Sequence, residues 1–192
     1  MSVDGAKSKP VLGFLTVLDH AKHGLFGGYL ILNSSGRPVE FHCTAPIRPN
    51  RAQQILYGPT LESFLYGEQI GGTLLSKAGS EVTLVCTDCL AAMAVREHVD
   101  VPVALIVPDN PPASDSPREF RRIDPTHSAG ANSGIPHLVT FELGRNRLAV
   151  NEETDEVCAI SACLAEMPES FDLAEPFARI REAIEEARQA AK

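Results

Sequence analysis

Three observations predict an α/β domain built on a mixed sheet. Two pairs of short apolar runs are joined by polar turns, in "YLILNSSGRPVEFHCT" and "HLVTFELGRNRLAVNE". That is the pattern of antiparallel hairpins. A third stretch, "EVTLVCTDCLAAMAVREHVDVPVALIV", reads as strand, helix and strand, the pattern of a parallel pair with a crossover. The chain closes on "DLAEPFARIREAIEEARQ", whose apolar residues recur at helical spacing. The expected fold is therefore a mixed sheet with two antiparallel hairpins, one strand-helix-strand unit and a C-terminal amphipathic helix.

Taken in order, "VLGFLTVL" (11–18) is a strand, and "DHAKHGLFGG" a Gly-rich loop. The first hairpin runs from Tyr29 to Thr44 around the turn residues "SSGRP". Pro46 and Pro49 then break the chain, and Asn50 is placed to cap a helix whose inward residues are Ala52, Ile55 and Leu56. Gly58-Pro59 interrupts that helix. Thr60 is placed to cap the next one, with Leu61, Phe64, Leu65, Ile70 and Leu74 on one side. Gly67, Gly71 and Gly72 weaken it and leave its end open. The run "EVCAISACLAEM" is ambiguous between strand and helix. At the C-terminal helix Asp172 is read as the cap and Glu175 as its capping-box partner. Leu173, Phe177, Ile180, Ile184 and Ala187 form one stripe, and Glu175–Arg179 is an i,i+4 pair.

At 44% hydrophobic and 22% charged, the 192 residues bury a core of ordinary size. They are expected to form one domain over 1–192, with a long Pro/Ser/Gly-rich loop or arm at 108–135. The net charge of −8 argues against general nucleic-acid binding, which needs a basic face. It argues equally against docking on an anionic membrane. The start is expected to be a strand rather than a signal peptide, because Asp19 and His20 close its apolar run. Five cysteines, an odd number, fit free thiols in a reducing, cytoplasmic setting.

Cys86-Thr-Asp-Cys89 sits where a strand meets a helix, and a helix N-terminus stabilises thiolates. Zinc is one candidate cofactor, since Cys86 and Cys89 supply two ligands and His42 a third. In an alternating strand Val39, Phe41 and Cys43 share the apolar face, whereas Glu40 and His42 share the other. Glu40 is thereby placed to orient His42. The other reading of all five cysteines is packing, since free Cys is a small hydrophobe that is often buried. His20 and His23, in "DHAKHG", are either a surface metal site with Asp19 or a solvated loop.

The segment "SGIPHLVTFELGRNRLAV" resembles the part of thioredoxins in which Gly-Ile-Pro precedes a strand, a Gly turn and a strand. The resemblance implies a redox pair at Cys86 and Cys89 and a cis proline at Pro136 facing it. The chain departs from that family in having no aromatic residue before Cys86, a short helix after Cys89, and a Pro-rich stretch where a helix is expected. Before that segment, Arg118, Phe120, Arg121 and Arg122 form the one strongly basic spot, a candidate anion or partner contact.

No phosphate loop, nucleophile elbow or dinucleotide fingerprint occurs in the sequence. The leading expectation is a non-enzymatic interaction or assembly protein, with a protein partner or self-association. A zinc protein and a thiol-disulfide protein, both using Cys86 and Cys89 as candidate catalytic or metal residues, are the alternatives.

Overall fold

A computed structural model describes residues 9–107, 137–152, 156–168 and 170–190. Seven strands form one mixed sheet in the order β3-β2-β1-β4-β5-β7-β6. They are β1 (Leu12–His20), β2 (Gly24–Leu32), β3 (Pro38–Cys43), β4 (Leu84–Thr87), β5 (Val103–Val107), β6 (Leu138–Leu143) and β7 (Asn146–Asn151). The central strands β1 and β4 run parallel, from Leu12 opposite Leu84 to Leu15 opposite Thr87. β4 and β5 are parallel too, and the remaining neighbours are antiparallel.

β1 is apolar almost without alternation because both of its faces are covered. One face holds Leu15, Val17, Tyr29, Ile31 and Val85 against the segments between β3 and β5. The packed ones are α2 (61–77) and a 3-10 stretch, Leu90–His98, whereas α1 (Arg51–Tyr57), in the same interval of the chain, contacts α2 and not the sheet. The other face holds Leu12, Phe14, Leu84 and Cys86 under α3 (Val157–Leu164) and α4 (Glu175–Ala190). Phe177, Ile180 and Ile184 of α4 are buried as the stripe requires, while Ala187 is exposed.

The expected elements are present, with several differences of detail. β2 begins at Gly24, not at Tyr29. The Gly-rich run is a strand because the layers close on it: a Cβ on Gly28 would lie 2.3 Å from Ile180 Cγ2. α2 widens into a π-helix over Phe64–Gly72. Gly67 there meets the 3-10 stretch, where a Cβ would lie 2.6 Å from that of Ala94 and 2.8 Å from backbone. Gly67 and Gly71 therefore allow close packing rather than end the helix. The stretch after Cys89 is 3-10, not α. The ambiguous 157–164 run is helix.

Asn50 caps α1 with Gln53 in a full capping box. Yet α1 buries nothing, and Ile55 and Leu56 are 66% and 81% exposed. The expected inward face is corrected: this short helix stands beside the sheet instead of lying on it. Thr60 donates to the Tyr57 carbonyl and caps nothing. Asp172 accepts from the Ala174 amide in the turn before α4, two residues on, so it is a turn residue and not the first cap.

On β3 the expected faces are reversed in burial. Val39, Phe41 and Cys43 are exposed, whereas Glu40 and His42 are partly covered. The reason is topological: β3 is an edge strand, and α4 lies over β1 and β2.

Candidate functional site

β1 and β4 lie side by side and parallel, and their connections leave in opposite directions, to β2 and to β5. In open α/β sheets the crevice outside the carboxyl ends of such a strand pair is the usual ligand seat. Polar residues converge there in this chain. Thr16, midway along β1 and one residue past its pairing with β4, and Thr87, the last residue of β4, are fully buried hydroxyls. Asp88 and Cys89 follow Thr87 directly. The Cys89 amide donates to Thr87 Oγ1 at 3.2 Å, which turns the chain at the strand end.

The Cys89 Sγ lies 3.4 Å from Asp88 Oδ1, 3.6 Å from the Val17 carbonyl and 3.9 Å from Thr16 Oγ1. Burial, and then the neighbouring Asp88 carboxylate, push the Cys89 thiol up to about 12. It is therefore a neutral proton donor and not a thiolate. The second Asp88 oxygen, Oδ2, accepts from Arg181 Nη2, which reaches over from α4. The Asp88 side chain is 16% exposed and that of Arg181 is 47% exposed. Two turns along the same flank of α4, Arg188 pairs with Glu185 and lies over the Phe26 ring. The β1–β2 turn, with His20, Lys22 and His23, leaves from the same end of the sheet.

The zinc set expected from the sequence does not converge. Cys86 is buried on the α3/α4 side of the sheet, and burial pushes its thiol far up. His42 is on β3, three strand spacings or roughly 14 Å from β4. Its Nε2 is held by Glu40 at 2.6 Å. Glu40 also accepts from the Gly79 amide at 2.9 Å and the Ser80 amide at 3.0 Å. The Gly79 amide first, His42 next and then the Ser80 side chain pull its carboxyl down to about 2. The pair therefore clamps the 78–80 loop to the sheet edge. Among the described residues no three His, Cys, Asp or Glu side chains are grouped to hold a metal ion.

The thioredoxin-like arrangement is not formed either. The β6–β7 hairpin is present, but β6 is the far edge strand, with β7 and β5 between it and β4. Pro136, the basic residues Arg118, Phe120, Arg121 and Arg122, and the 108–135 loop lie outside the described residues. Packing does not account for all five cysteines, since Cys43 and Cys158 are exposed. His20 and His23 have ring centroids 4.8 Å apart, and His20 Nδ1 accepts from the Lys22 amide. Sequence reading missed Thr16, Asp88 and Arg181. Asp88 stood inside the Cys-x-x-Cys run, and Arg181 looked like any exposed helix cation.

No family model and no curated protein matches the chain. Among solved structures, an endonuclease V variant of Ciona intestinalis is similar over 95% of this chain and 88% of its own. The identity is 10% and the TM-score 0.46. That structure is in complex with a 23mer DNA containing an inosine followed by a ribo-adenosine. Two expectations are corrected against it. The chain is no longer read as a non-enzymatic interaction or assembly protein, with its protein partner or self-association. Nor is nucleic acid excluded as a partner, since net charge sums over the whole surface and does not describe one crevice. A likeness at this level assigns no activity in their place. Among the described residues no helix is long and apolar enough to cross a membrane.

Proposed function

We propose that the chain is a ligand-binding domain whose seat is the crevice outside the carboxyl ends of β1 and β4. One observation carries this reading: Thr16, Cys89, Asp88 and Arg181 come together at the point where neighbouring parallel strands send their connections apart. Polar side chains at such a place fix the orientation of a ligand whose remaining contacts are apolar. Leu90, 39% exposed, supplies apolar surface next to them in the chain. The protonated Cys89 thiol acts there as a hydrogen-bond donor and not as a nucleophile. The odd number of cysteines keeps a reducing, cytoplasmic compartment part of this reading.

The test is a thermal-shift panel of polar compounds that includes nucleotides, carboxylates, polyols and a short single-stranded oligonucleotide. At 100 times its dissociation constant a true ligand adds about 2.7 kcal/mol of stability. The expected result is a stabilising ligand whose effect falls in Arg181→Gln. If no compound stabilises the chain, or if the effect is unchanged in that variant, the reading is wrong.

A further inference from the structure

We infer that the ligand carries an oxyanion, seated on Arg181, and that Asp88 acts as a built-in competitor for that seat. The inference rests on the ligand-binding reading above and adds the ligand's charge class. Guanidinium offers five donors in a planar fork that matches carboxylate or phosphate. Arg181 commits one nitrogen, Nη2, to Asp88. Its side chain is nearly half exposed, so the guanidinium is open to solvent beside Asp88, whereas Asp88 is mostly covered.

Asp88 is held in place from its other side by the Cys89 thiol, which reaches Oδ1. The carboxylate therefore fixes Arg181 and, at the same time, repels any second anion that approaches it. Arg188, paired with Glu185, lies two turns farther along the same flank, over Phe26. An oxyanion is the ligand group that the free edge of Arg181 recognises, and Asp88 lowers its affinity. Removing the Asp88 charge while keeping its shape should accordingly tighten binding. A site in which Asp88 itself accepts a hydrogen bond from the ligand predicts the opposite.

The experiment is titration calorimetry on the full chain with inorganic phosphate and, separately, with acetate. Wild type, Asp88→Asn and Arg181→Gln are compared, and thermal unfolding confirms that each is folded. The expected order is Asp88→Asn tighter than wild type by about fivefold, the effect of one charge near a protein surface, with Arg181→Gln abolishing saturable binding. A preference for phosphate or for acetate then separates the two sources of oxyanion, and either supports the inference. It is overturned if Asp88→Asn binds more weakly, if Arg181→Gln binds as well as wild type, or if neither oxyanion binds. Should neutral compounds bind at the site while neither oxyanion does, the inference falls and the ligand-binding reading stands. Should nothing bind, both fall.

Discussion

Burial sets the chemistry of the thiols residue by residue. Cys86 and Cys89 share a strand end, and both are pushed up by desolvation before any other cause. Cys43 and Cys158 are exposed. A disulfide reagent near neutral pH should therefore label Cys43 and Cys158 first. Cys89 should react slower than an ordinary thiol by about three orders of magnitude if the rate follows its thiolate fraction, since its value rises from 9.0 to about 12. Peptide mapping of the labelled sites checks this, and fast labelling of Cys89 would contradict it. Glu40 gives a second test. Its carboxyl lies near 2 in the folded chain against an ordinary value of 4.5. A lowered value means stabilisation that is whole above about 4.5 and lost as pH falls towards 2. In urea unfolding across that window, Glu40→Gln should show a flatter loss than wild type, and equal slopes would show that the clamp contributes nothing. The Glu40–His42 contact was legible in the sequence because strand alternation puts both on one face. The Asp88–Arg181 contact was not, because the two are 93 residues apart and only the packing of α4 brings them together.

Among elements, those with strong periodicity were legible and those set by neighbours were not. The α4 stripe reads directly from spacing, and Phe177, Ile180 and Ile184 are buried. The same logic applied to α1 failed, because a seven-residue helix fills its apolar positions without any layer to receive them. The contrast is measurable. Ile180→Ala should cost about 2–5 kcal/mol in chemical unfolding, and Ile55→Ala should stay within about 0.5 kcal/mol. Comparable losses would put α1 in the core. Gly67 separates two explanations of a helix glycine. An open position gains up to about 1 kcal/mol on Gly→Ala from helix propensity. A Cβ here would meet Ala94 and the backbone beside it, so Gly67→Ala should instead cost about 1–3 kcal/mol. A stabilised variant would show that α2 and the 3-10 stretch are not so closely packed.

For the whole molecule, the fold class came from the sequence because hairpins and the strand-helix-strand unit are local patterns. Strand order is not local. Nothing in β1 states that β4 becomes its parallel neighbour, yet that neighbourhood creates the crevice and gathers Thr16, Asp88, Cys89 and Arg181 at one end of the sheet. The central claim is therefore one of place, and backbone-amide NMR on the full chain, titrated with the best compound of the panel, tests it most directly. The account predicts shifts confined to Thr16–His20, Thr87–Leu90 and the amides around Arg181. Shifts centred on Glu40–His42 and the 78–80 loop, with the carboxyl ends of β1 and β4 silent, would contradict it.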